Sequence, residues 1–333
     1  MHKQTRSDAL TRGRTEVRPP YTRAVARSIF LALIAALALP GCTLCWPRGG
    51  AMGVCGGADD DDVTTDDDDV ADDDDSTGDD DDSTADGMIA IPAGTFAMGC
   101  HQDLVPSGSC DDEELPVHTV SVSAFRMDAF EVTRQEFVDF INGNDNDCDE
   151  APCLGGFSEP EVYEQGGTWF VLEGFETTAV AEVTWYGARD FCASLGKRLP
   201  TEAEWEWAAQ GDTPTRYVWG DEDPDCKHAI YGGGCGEDGP WAVDDGIREA
   251  GRSPFGVWDM AGNVWEYVAD RYSSEYYANS PEQDPPGPAT GDNRVVRGGG
   301  WESNDRAIEA WSRWGRYAEF GNASVGFRCA ADP

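Results

Sequence analysis

Positive charge is scarce in this chain of 333 residues: 24 Lys and Arg stand against 64 Asp and Glu, for a net charge of −40. Residues 1–41 take seven of the cations (Lys3, Arg6, Arg12, Arg14, Arg18, Arg23, Arg27) and only two of the acids (Asp8, Glu16), which leaves 17 basic and 62 acidic residues beyond them. So acidic a surface repels phosphate backbones and anionic headgroups through its long-range field, and this argues against nucleic acid as a partner. Histidine is scarcer still. Beyond the N-terminal stretch there are only His101, His118 and His228, and no CxxC…CxxC pattern accompanies them; Cys42-x-x-Cys45 stands alone. A zinc site, the rival use for the cysteines, therefore lacks its ligand spacing. Long apolar runs are missing too, apart from one.

That run, Ile29 to Leu39, follows the seven cations and precedes Pro40-Gly41-Cys42. A basic stretch, a short apolar stretch and a small-residue exit predict a secretory signal over 1–41, too short to span a bilayer comfortably. Leu39-Pro40-Gly41-Cys42 is also similar to a bacterial lipobox, whose cysteine is acylated and becomes the first mature residue. Acyl chains on Cys42 would anchor the protein to a membrane without a spanning helix. Ordinary cleavage nearby, with Cys42 in a disulfide, is the alternative. Either route exports the body to a periplasmic or cell-surface location.

Residues 42–87 contain Cys45 and Cys55 and then four Asp tetrads between 59 and 82, with Asp86 beyond them. Seventeen carboxylates spaced by small residues cannot bury enough apolar surface to offset their ordering entropy, so a solvated, self-repelling tether is expected. Calcium capture by the tetrads is the other option. The spacing, however, lacks the glycine turn and distal glutamate of an EF-hand.

The cysteines number eleven, an odd count for an exported protein. With Cys42 acylated, ten remain. Eight are close neighbours in sequence: Cys45 and Cys55, Cys100 and Cys110, Cys148 and Cys153, Cys226 and Cys235. Cys192 and Cys329 are left to pair over a long loop, which would remove much unfolded-state entropy.

From Met88 the composition turns apolar, aromatic and glycine-rich, and a body of roughly 240 residues over 88–333 fits one domain. Met88 to Gly99 reads as a strand, a Pro-Gly turn and a second strand; Val117 to Phe125 alternates as another. Three helices follow. One is capped by Thr133 and runs through Phe137 and Phe140; a second extends from Thr184 to Gly196; a third opens at Thr201, with Glu204 at capping-box spacing, and closes at Gly211. Beyond Gly211, turns and short strands dominate. The expected fold is α+β with little regular structure and a core of scattered aromatics braced by disulfides.

Several blocks then come in a telling order: Ile91 to Gly99, Phe130-Glu131-Val132-Thr133, Ala181 to Trp185, Lys197-Arg198-Leu199-Pro200-Thr201-Glu202-Ala203-Glu204-Trp205, Gly262-Asn263-Val264-Trp265-Glu266, Arg297-Gly298-Gly299-Gly300-Trp301 and Gly326-Phe327-Arg328-Cys329. Together they resemble the formylglycine-generating-enzyme (sulfatase-modifying factor) family. The resemblance implies a formylglycine-generating-enzyme-like, C-type-lectin-related fold over residues 88–333. It also implies a bond between Cys192 and Cys329, the pair reached above by elimination.

On the same resemblance, Asp259, Gly262, Val264 and Glu266 match a structural calcium site of two side chains and two main-chain carbonyls, hard oxygens that suit Ca²⁺. An ordinary ion pair of Glu266 with an arginine is the alternative. A second family calcium site is doubtful: Asp238 matches one ligand, but Ala229 stands where an asparagine would coordinate. The family's redox centre is a pair of cysteines, five positions apart, that holds copper(I) and activates oxygen. Here residues 301–325 contain no cysteine; Ile308 and Arg313 lie near the expected positions, so no copper is expected.

That same run is rich in Trp301, Arg306, Trp311, Arg313, Trp314 and Arg316, followed by Tyr317 and Phe320. Rings and guanidinium groups together suit a peptide, sugar or carboxylate ligand. They equally suit a core in which tryptophans pack and arginines pair with the acidic excess. The expectation is a lipid-anchored peptide- or glycan-binding module. The alternatives are a formylglycine-generating oxidoreductase acting on a sulfatase-type peptide, or another enzyme in the same cleft.

Overall fold

The computed structural model describes residues 87–333, apart from 149–150, 156–160, 233–234, 236–238 and 244–245. The signal, Cys42, Cys45, Cys55, the Asp tether and Asp238 lie outside the described residues.

Strand β1 (Met88–Ile91) and strand β2 (Gly94–Met98) are separated at Pro92, which has no amide proton to continue a ladder. They serve different sheets. β2 pairs with β3 (His118–Val122), whereas β1 pairs with β4 (Phe125–Asp128), so the single expected strand from Val117 to Phe125 is broken in two. Helix α1 (Arg134–Asn144) starts in a reciprocal cap: Thr133 Oγ1 accepts from Glu136 N at 3.2 Å and Glu136 Oε2 accepts from Thr133 N at 2.8 Å. After it come the two-residue strands β5 (Asp147–Cys148) and β6 (Ala151–Pro152), then a hairpin of β7 (Val162–Gln165) and β8 (Thr168–Val171). Gly166 and Gly167 turn that hairpin at φ of 66° and 84°, left-handed values that favour glycine.

Helix α2 (Trp185–Ser194) is capped by Thr184. Helix α3 (Glu202–Gln210) opens on the Thr201–Glu204 capping box and stops at Gly211, where φ is 69°. The last third is more regular than the sequence led us to expect. Strand β9 (Trp265–Arg271) runs seven residues and pairs antiparallel with β10 (Asn293–Arg297), which pairs antiparallel with β11 (Arg313–Tyr317). β12 (Val325–Gly326) adds to β9 in parallel, and β13 (Ala330–Ala331) returns to β4.

Aromatics fill the core in two clusters, and β9 contributes to both. One cluster gathers Trp205, Trp207, Tyr217 and Phe96; the other gathers Phe137, Phe191 and Phe327, with ring centroids 5.4–5.9 Å apart. Four disulfides join the eight described cysteines in the pairs read from the sequence: Cys100–Cys110, Cys148–Cys153, Cys192–Cys329 and Cys226–Cys235. Cys192–Cys329 fastens α2 to the segment just before β13, across 137 positions.

Candidate functional site

Three carboxylates meet in the interior around the turn before β9: Asp259 in the turn, Glu266 on β9 and Glu131 ahead of α1. Asp259 and Asn263 adopt left-handed φ of 55° and 57°, and Gly262 lies so close to Ile230 that a Cβ there would fall 2.2 Å from its carbonyl oxygen. Asp259 and Glu266 are both buried, and each meets a guanidinium face to face. Arg248 donates to Asp259 at 2.5 and 3.0 Å, and Arg328 donates to Glu266 at 2.7 and 2.8 Å. Trp205 Nε1 adds a third bond to Glu266, at 2.9 Å. The third carboxylate, Glu131, accepts from Val264 N and from the Asn263 amide. Burial, and then the charges of Asp259 and Glu266, push Glu131 well above the usual carboxylate range.

Among the described residues, no group of three or more His, Cys, Asp or Glu is arranged to hold a metal ion. Both oxygens of each calcium-matched carboxylate are already committed to a cation. In this arrangement the side chains of Asp259 and Glu266 are engaged as ion pairs, with Arg248 and Arg328. Ala229 is fully buried in the hydrophobic core.

Nor do the residues at the expected redox positions fit copper(I). Ile308 is buried in the core against Gly299. Arg313 points inward, donating to Glu202 at 2.6 and 2.8 Å and to the carbonyls of Glu113 and Ser273. All eight described cysteines are half-cystines, so no soft thiolate is among them.

The aromatic and arginine run divides. Trp311 is fully buried beside the Cys100–Cys110 bridge, and Arg313 is equally interior, so neither can touch a ligand on the surface. Both belong to the core, the alternative that the sequence left open. Trp301 is half-buried, its indole N–H donating to Ala323 O. Arg306 pairs with Asp111 and reaches the carbonyl of Ser109. On β11 the outward positions are Trp314, 51% exposed, and half-buried Arg316; Tyr317 and Phe320, exposed by 60% and 63%, meet edge to face just beyond.

Arg271, outside that run, joins Arg294 and Arg316 through the sheet. Arg316 lies directly opposite Arg294, and Arg294 directly opposite Arg271, so three arginines form one row across β11, β10 and β9. An arginine that alternates with Val in Asn293-Arg294-Val295-Val296-Arg297 hints at a strand, but only the register shows the row.

A few-helix α+β body of this kind is the fold of formylglycine-generating-enzyme-like, C-type-lectin-related domains. Residues 74–333 match the family described as sulfatase-modifying factor enzyme 1-like domain, and the chain belongs to that family. The formylglycine-generating enzyme of Streptomyces coelicolor is 32% identical over 290 residues, covering 74% of this chain and 89% of that protein. The mouse protein named inactive C-alpha-formylglycine-generating enzyme 2 is 30% identical, covering 73% and 85%. Among solved structures, Treponema denticola variable protein 1 superposes with a TM-score of 0.56 at 26% identity, over 74% of this chain and 95% of its own.

Proposed function

We propose that this protein is an exported, Cys42-acylated module that displays its domain outside the cytoplasm to a peptide or glycan, and that it binds rather than oxidises. One observation carries the reading. Residues 301–325 lack cysteine, and the described cysteines of the body are all held in disulfides, so a copper(I) oxidase has neither ligand pair nor thiol acceptor. The exposed Trp314, Tyr317 and Phe320 beside Arg316 supply the kind of surface that anchors a ligand. A relative named inactive, aligned over 85% of its length, is in keeping with this. The Asp-rich stretch would hold the domain clear of the membrane.

The competing reading, a formylglycine-generating oxidoreductase, draws on the 32% identity to the Streptomyces enzyme. Panning the full mature chain over peptide and glycan arrays separates the two. Selective retention of one ligand class, lost when Trp314 and Phe320 are changed to alanine, supports a binding module. A blank array contradicts it.

A further inference from the structure

Three guanidinium groups in register are costly in an ordinary sheet, because like charges directly opposite one another destabilise the pairing. Here the row Arg271–Arg294–Arg316 stands on one face, and among the described residues none of the three is ion-paired to a carboxylate. Arg271 donates to the carbonyl of Gly291 and Arg294 Nη1 to that of Ala269. The Nε atoms of Arg294 and Arg316 are buried with no partner at all. Arg294 lies 3.4 Å above the Trp185 ring, with Arg189 over the same indole at 5.4 Å.

The nearby acids do not neutralise the row. Asp190 is engaged by Arg189 at 2.6 Å, and buried Asp270 accepts from Glu202 N. Burial, and then the charge of Arg271, push Arg294 down to about 10. In a chain carrying 64 acidic side chains, three such arginines in register call for an external anion. Charge-awkward clusters of this kind concentrate at functional sites.

We infer that Arg271, Arg294 and Arg316 form an oxyanion-binding row for a sulfated saccharide, its sulfate groups held by the guanidinium forks and a sugar ring laid on Trp314. This rests on the binding-module reading and names its ligand class. Guanidinium forks match planar and tetrahedral oxyanions bidentately. Trp314 and Arg316, two apart on β11, share a face, and the exposed indole gives a flat apolar platform beside the charge. A groove of about 380 Å³, floored by Trp185, Leu199 and Ala269 and edged by Arg189, borders the row and offers room for further sugar units.

The test uses the full mature chain with four probes: a heparin-derived hexasaccharide, its desulfated counterpart, an oligoglutamate peptide and sodium sulfate alone. Calorimetry should show hexasaccharide binding that weakens with salt. Arg271→Gln and Arg316→Gln should each weaken it about tenfold, as expected for losing one charged hydrogen-bonding partner. Both variants should melt no lower than wild type, since each relieves like-charge repulsion. Arg294→Gln serves only as a third variant, because that side chain also covers Trp185. Equal binding by wild type and both variants would overturn the row and leave the binding-module reading intact. So would equal binding of the desulfated sugar, or preference for the peptide or for free sulfate. Aldehyde formation on a thiol peptide would instead overturn the binding-module reading itself.

Discussion

Replacing Arg313 with alanine separates a core arginine from a ligand-binding one. Arg313 is fully buried and donates twice to Glu202, at 2.6 and 2.8 Å; its guanidinium also sits 4.4 Å from the Tyr277 ring centroid. Burial works to raise the Glu202 carboxyl, but the charge and hydrogen bonds of Arg313, the charge of Arg297 and the Tyr277 hydrogen bond together outweigh it and hold Glu202 below the usual carboxylate range. Without Arg313, Glu202 keeps only Arg297 and the Tyr277 hydroxyl, each at 3.1 Å, while the carbonyls of Glu113 and Ser273 lose a donor. Removing one member of a buried pair costs about 3–5 kcal/mol, and the remaining Arg297 places the expectation near 3. Urea unfolding followed by tryptophan fluorescence measures it. A variant within about 1 kcal/mol of wild type would refute the assignment of Arg313 to the core, as would a folded variant with altered ligand affinity.

Three further outcomes are expected. Burial, and then the Glu202 charge, push Asp270 up to about 8, so its neutral form is favoured in the fold and stability falls as pH rises from about 4 towards that value. Asp270→Asn should flatten this slope, and melting curves across the range with an unchanged slope would count against it. Replacing Cys192 and Cys329 together by alanine opens a loop of 137 positions and should cost about 5 kcal/mol in urea unfolding; a loss below about 1 kcal/mol would show that the bridge contributes little. If Arg248 and Arg328 hold Asp259 and Glu266 as ion pairs, treating the purified protein with EGTA leaves its melting temperature unchanged. A fall of several degrees would restore calcium to that turn.

Local chemistry was the legible part of the sequence. The Thr133–Glu136 and Thr201–Glu204 boxes fix helix starts within four residues, and both helices begin there. Cys192–Cys329 was legible because every other cysteine had a near neighbour. The hairpin at Gly166-Gly167 carries a readable turn signal as well. What stayed hidden depends on pairing between distant segments. Trp311 and Trp314 look alike in sequence, yet one is sealed under a disulfide loop and the other stands out from β11. The arginine row arises from the mutual register of three strands, which no single strand encodes. The ion pairs of Asp259 and Glu266 come from Arg248 and Arg328, one in a loop and one near the C-terminus.

The most direct test of the central claim is to load the purified mature chain anaerobically with copper(I), add oxygen and a cysteine-containing sulfatase-type peptide, and follow both metal content and peptide mass. With no thiolate pair to hold the ion, the account predicts no stoichiometric copper after dialysis and an unchanged peptide. One retained copper per chain, with the peptide's cysteine converted to an aldehyde, would contradict it.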